Sequence, residues 1–167
     1  MDVIKERVSI RKYKDQPVPK ELIDEIIEAG IYAPTGRNSQ STRIIAVTDR
    51  EMRDRIMKAN ADIMGSTADP FYGAPVILIV IADKTAPTYI YDGPITLGYM
   101  MLKAKELGLG TCWIHRAKQE FEGEIGKEIL KKLGIEGEFE GIGHLALGYP
   151  DENPAPKEHR PGRVYYI

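Results

Sequence analysis

The stretch Ala74-Pro75-Val76-Ile77-Leu78-Ile79-Val80-Ile81-Ala82 constrains this chain more than any other. It is a continuous, mostly β-branched apolar run with no polar alternation, so it reads as a strand buried on both faces. Such a strand needs cover above and below. The flanking sequence offers it in pieces of helical and extended period.

Residues 2–7 read as a short helix. A second helix over residues 20–32 starts after Pro19 and carries Leu22, Ile23, Ile26 and Ile27 on one face. Ala33-Pro34 ends it, and Pro34–Gln40 is a polar loop. Arg43–Thr48 is a strand, Asp49–Ala61 a charged helix with Asp49 as its cap, and Ile63–Phe71 a loop. After the apolar strand, Asp83–Tyr91 is a loop and Asp92-Gly93-Pro94 opens a helix to Leu107. That helix carries Ile95, Leu97, Met100, Met101 and Leu102 on more than one face, which suits a protein interior or a subunit interface. Gly108–Gly110 ends it. Thr111–His115 and Gly141–Gly148 are strands, and Gln119–Leu133 is an amphipathic helix closed by Gly134. Helices interleaved with four or five strands predict an α+β or α/β sandwich, a single domain spanning 1–167. A Pro-rich tail, Tyr149–Pro161, then leads to the apolar Val164–Ile167, best placed on a sheet edge of its own chain or a partner's.

Composition excludes several classes. The net charge of −2 leaves no basic excess for general nucleic-acid binding, though it allows one local basic pocket. Cys112 is the only cysteine, so no disulfide framework or cysteine-held cluster can form within one chain. His115, His144 and His159 are widely spaced and give no metal-ligand pattern. No signal-peptide pattern opens the sequence, and the apolar run at Val76–Ala82 is too short to span a bilayer. A cytoplasmic protein with no membrane or nucleic-acid partner is expected.

The clearest candidate for chemistry is Arg7-Val8-Ser9-Ile10-Arg11. In an extended chain Arg7, Ser9 and Arg11 share one side, and Val8 and Ile10 the other. Two guanidinium forks and a hydroxyl on one edge suit a phosphate. Taken alone, the pentapeptide is better read as an ordinary charged surface segment; the other motifs change that balance. Cys112 beside Trp113 reads as inert core.

Arg7-x-Ser9-x-Arg11, Pro34…Asn38-x-Gln40, Gly108-Leu109-Gly110-Thr111-Cys112-Trp113 and Gly148-Tyr149-Pro150 with a basic tail occur in this order. Over residues 2–167 the chain resembles the nitroreductase family of FMN-dependent oxidoreductases. The resemblance implies an α+β fold, an α/β sandwich whose central, mostly antiparallel sheet is flanked by helices, assembled as an intertwined homodimer with FMN at the subunit interface. It implies that Arg7, Ser9 and Arg11 take the phosphate and ribityl end, and that Asn38 and Gln40 are flavin or ribityl contacts. Thr35 and Gly36 would approach from the partner subunit. Backbone amides of Trp113, Ile114, His115 and Arg116 would lie near the ring, and Arg160 and Arg163 would be the last phosphate contacts. The implied activity passes hydride from NAD(P)H through FMN to a small electron acceptor such as a nitro compound or quinone, with no catalytic side chain. Two departures stand out. Ser41-Thr42 follow Gln40 where the family often has Pro-Trp, and the connection before the Asp92 helix is short. A short cover implies an open or very small substrate site. It also leaves room for the alternative of an FMN-binding protein with a sensing, storage or partner role and little turnover.

Overall fold

The computed structural model describes residues 2–156 and 158–167. The apolar run forms strand β2, Val76–Asp83, and from Val76 to Ala82 no residue is more than 3 % exposed. Alternate side chains enter two separate cores. Ile77, Ile79 and Ile81 point into one with Ile56, Phe121 and Ile129. Val76, Leu78 and Val80 point into the other with Ile23, Ile26, Leu97 and Met100. At about 1.5–3 kcal/mol for each large aliphatic side chain taken from water, this strand contributes to the stability of both layers at once.

Its neighbours are β1, Thr42–Val47, and β4, Phe139–Gly148, with β3, Gly110–Ile114, beyond β4. The order β1-β2-β4-β3 is antiparallel throughout. A register shift between Val80 and Ile81 marks a bulge opposite Gly141–Gly143. Helices α2, Lys20–Ile31, and α4, Tyr89–Glu106, cover one face. Helices α3, Arg50–Met64, α5, Ala117–Glu122, and α6, Glu124–Leu133, cover the other. The short α1, Val3–Glu6, lies at the start of the chain. This is the expected α+β arrangement, helices on both sides of one antiparallel sheet.

Several boundaries differ from expectation. Helix α3 runs on through Ile63 to Met64, into the stretch expected as loop, and stops at Gly65 in the left-handed conformation that caps helices. Helix α4 begins at Tyr89 rather than Asp92, so Pro94 sits inside it and Asp92 is not its cap. The single helix expected over Gln119–Leu133 is two, because Gly123 is extended (φ −90°, ψ −174°) and starts α6 anew. Val164–Ile167 are exposed and pair with no strand among the described residues of this chain.

Candidate functional site

Helix α1 is closed at its start by mutual hydrogen bonds. Lys5 N–H donates to Asp2 Oδ1 (3.3 Å), and Asp2 N–H donates to Glu6 Oε1 (3.0 Å). At Arg7 the backbone turns extended (φ −68°, ψ 120°), and the chain runs beside β3. Ser9 bridges Thr111 in parallel, and Ile10 N–H donates to Thr111 O at 2.9 Å. The other side of the segment is fastened to the chain after β4. Lys14 N–H donates to Tyr149 O and Asp151 N–H to Lys12 O, both at 2.9 Å, and Arg11 N–H donates to the Glu152 carboxylate. Tyr13 bridges Pro150 and donates its hydroxyl to Ile10 O at 2.8 Å.

The alternation therefore holds in its main point. Ile10 is buried over Gly110, where an added Cβ would meet its side chain at 2.8 Å. Arg7, Ser9 and Arg11 together line a cavity of about 490 Å³, shared with Lys5 and with His159 of the tail. Val8 is only half-buried and also lines that cavity, so the apolar side of the edge is Ile10 alone. Arg160 and Arg163 are exposed and outside this lining. The Arg11 guanidinium lies 5.9 Å from the centre of the Tyr72 ring. The Tyr72 phenol is the chief group raising its pKa further. Burial pushes the nearby Cys112 thiol up, with Arg11 and Ser9 pulling the other way, in keeping with an inert core thiol.

The second loop is organised by Asp92, a residue read from sequence only as a helix start. Its buried carboxylate accepts from Gly36 N–H (3.0 Å), Ser41 Oγ (2.8 Å), Thr88 Oγ1 (3.1 Å) and Ser39 Oγ (3.3 Å). Burial alone would push the Asp92 carboxyl up; these donors outweigh it and hold the group below its ordinary value. Gly36 is obligatory, since a Cβ would overlap the Thr88 side chain. Arg37, Asn38 and Gln40 all have φ near +50° (53°, 53° and 49°), a strained run for side-chain-bearing residues. Gln40 N–H donates to Thr35 Oγ1 at 3.0 Å. Thr35, Asn38 and Gln40 line a cavity of about 830 Å³ between the end of α2 and β1. None of its lining residues belongs to the Arg7 cavity, so within one chain the two motifs do not meet.

The third motif forms β3. Trp113 is 45 % exposed, Ile114 is buried, and His115 is exposed. Arg116 has φ +80° and leads into α5. Among the described residues no His, Cys, Asp and Glu cluster could hold a metal ion, and no helix is long and apolar enough to cross a membrane.

The nitroreductase family profile matches residues 4–70 and 64–149. The chain belongs to the nitroreductase family. A Methanothermobacter thermautotrophicus protein, named provisionally an NADH dehydrogenase/NAD(P)H nitroreductase, is 31 % identical across 99 % of this chain and 85 % of its own length. Among solved structures, a Bacteroides fragilis nitroreductase with bound FMN superposes with a TM-score of 0.88 over 99 % of this chain and 97 % of its own. At 24 % identity that likeness speaks for the fold. A Desulfitobacterium hafniense nitroreductase with bound FMN is 27 % identical, with a TM-score of 0.87 over 99 % of this chain and 96 % of its own. The nitroreductase fold thus accounts for the sheet order and for both helical layers.

Proposed function

We propose that this chain binds FMN and, as a homodimer, passes reducing equivalents from NAD(P)H to a small electron acceptor such as a nitro compound or a quinone. One observation carries most of the weight: Arg7, Ser9 and Arg11 converge on a single cavity of about 490 Å³ that also has Lys5 on its wall. A phosphate monoester carries close to two negative charges at neutral pH, and these cations match it. The FMN bound by solved relatives supports a flavin as the owner of that phosphate.

In this proposal Arg7, Ser9 and Arg11 hold the phosphate and ribityl end, and the backbone N–H groups of Trp113, Ile114, His115 and Arg116 face the ring. Asn38 and Gln40 contact the flavin or ribityl chain, with Thr35 and Gly36 of the partner subunit approaching the same ligand. Arg160 and Arg163 stay as candidate phosphate contacts, joined now by His159. Bound FMN would supply the two-electron transfer between nicotinamide and acceptor. The chain's own part is to anchor the phosphate, orient the ring and present donors to it; no side chain is assigned as a catalytic residue. A dimer is supported by Tyr91, Ile95 and Tyr99, which stand exposed four residues apart on α4, and by exposed Ile31, Tyr32 and Val164–Ile167. It is also supported by the separation of the two cavities within one chain.

A second function, flavin binding with little turnover, is favoured by one feature. Only residues 84–88 connect β2 to α4, so little chain is available to cover a flavin there. The deciding experiment titrates apoprotein with FMN and then follows NADH and NADPH oxidation with the flavin bound. Saturable binding with steady turnover of either nicotinamide supports the oxidoreductase. Binding without turnover selects the second function, and no flavin uptake ends both.

A further inference from the structure

Behind the end of β3 lies a buried polar group whose members come from three elements. Asn60 of α3 is fully buried. Its side-chain amide donates to His115 O at 3.0 Å and to Glu120 Oε2 at 3.2 Å, and its Oδ1 accepts from Arg116 Nε at 2.9 Å. Glu120 of α5 is 2 % exposed, and its Oε2 lies 2.6 Å from Nε2 of fully buried His144 on β4. That contact is close but poorly directed for a hydrogen bond, and Glu120 Oε1 has no partner among the described residues. His144 Nδ1 faces Ile114 O at 3.4 Å, and Phe71 meets the imidazole edge-on at 5.3 Å.

Burying an amide, a carboxyl and an imidazole in an apolar layer is costly, and an apolar trio of equal volume would hold the layer together at lower cost. The group's contacts suggest what it is kept for. It touches three consecutive residues: the carbonyls of Ile114 and His115 and the guanidinium of Arg116. Arg116 is also held at φ +80°, a conformation that a non-glycine residue keeps only when its surroundings impose it. The amides of this segment are the ones proposed above to face the flavin ring.

We propose that Asn60, with Glu120 and His144 behind it, is the positioning device for the flavin-facing strand end. By gripping the carbonyls of Ile114 and His115, it fixes the direction of the His115 and Arg116 N–H groups, which point the opposite way in the same peptide planes. Reduced flavin gathers negative charge at its ring edge, so preoriented donors there favour the reduced form over the oxidised one. The proposal rests on the FMN function argued above, and the experiment separates the two.

The test is Asn60→Ala, with Arg116→Ala as a second variant that leaves the buried trio intact. Three quantities are measured: hydrogen exchange of residues 114–116 in apoprotein, affinity for FMN and riboflavin, and the midpoint potential of bound FMN. In Asn60→Ala, exchange at the strand end rises, and FMN and riboflavin lose affinity by the same factor. Reduced flavin loses roughly tenfold more than oxidised flavin, the scale of one hydrogen bond to a charged acceptor. For a two-electron couple this is a shift of about −30 mV. Arg116→Ala, which removes one of the three grips, moves potential and exchange in the same direction by less. It decides the matter if Asn60→Ala does not fold. Unchanged potential and exchange in the folded variants overturn the proposal, and so does a loss confined to FMN, since that places Asn60's effect at the phosphate. No flavin uptake by the wild type overturns the function above. Exchange in apoprotein then still reads the grip on its own, and an unchanged rate removes it.

Discussion

The two ends of the proposed flavin site are built on opposite principles. The Arg7–Arg11 end is open, charged and made by one short extended segment that turns only Ile10 into the core. The Ile114–Arg116 end, proposed to offer backbone donors, has the carbonyls of Ile114 and His115 and the Arg116 guanidinium held by buried groups of α3 and β4, while His115 itself stays exposed. The first recognises by charge in contact with water, the second by direction enforced from behind. Their sensitivities should therefore differ in kind: salt and ligand charge act on the first, and buried substitutions that leave ligand charge irrelevant act on the second.

The largest effect expected from breaking this contrast is at the buried end. Glu120→Ala leaves His144 and Asn60 without their shared carboxylate. Removing one member of a buried ionisable pair costs about 3–5 kcal/mol, hence a fall in Tm of roughly 6 °C or more for a chain of this size, readable by calorimetry. The exposed pair Arg55–Glu128, with both side chains nearly half exposed, is the control. Arg55→Ala should leave the Tm nearly unchanged, because water and salt screen that pair.

Next comes the charged end. Arg11→Ala should weaken FMN binding about 10- to 150-fold, the equivalent of one charge-assisted hydrogen bond of about 1.5–3 kcal/mol, while riboflavin, lacking the phosphate, loses far less. Raised salt should reproduce part of this loss in the wild type. Val8→Ala should leave the FMN-over-riboflavin preference intact. Equal losses for both flavins in Arg11→Ala would make that arginine structural and erase the contrast.

The Asp92 loop is intermediate, a buried charge serving a surface loop. The folded Asp92 carboxyl titrates below its ordinary value near 3.8, so its contribution is fully present above that value and is lost as pH falls through the lower folded pKa. Asp92→Asn should thus be less stable than wild type at neutral pH by about 2 kcal/mol. The gap should narrow below about pH 4 in melts run across pH. A gap independent of pH would mean the charge is immaterial. The smallest effect expected is at the tail: removing residues 159–167 should weaken FMN binding a few-fold through His159 and the nearby arginines, and should loosen the dimer. Unchanged affinity and sedimentation would exclude the tail from both.

What could be read from the sequence follows the same division. The strand at Val76–Ala82 and the Arg7–Arg11 edge were legible because their signals are local: unbroken β-branched residues in one, period-two alternation in the other. The second needed its companion motifs to outweigh the bland alternative of a charged surface segment. Asp92 was missed as a loop organiser because its partners Gly36, Ser39 and Ser41 lie more than fifty residues away. Asn60 follows Ile56 by four residues on the buried face of α3, and Glu120 shares the buried face of α5 with Ala117 and Phe121; a single polar residue in such a position names no partner, and only the fold brings the two together beside His144. Pro94 misled in a different way. Proline suits a first helical turn, but α4 begins at Tyr89, after an N-cap Thr88 whose side chain makes no capping bond, so neither end of that turn carries a signal in the sequence.

The fastening of residues 11–14 to residues 149–152 bears on when a ligand can be captured during folding. Arg11 and Glu152 are separated by 141 positions along the chain, so this seam closes a loop nearly as long as the protein, among the costliest contacts to form early. The basic edge precedes the tail in the chain, yet its cavity has no far wall until Pro154, Ala155, Pro156 and His159 have come back to it. A nascent chain therefore carries its phosphate-binding residues for most of its synthesis without a place to use them. Acquisition of a phosphorylated ligand becomes one of the last steps in maturation, and a late binding event of this kind stabilises only chains that have already closed correctly.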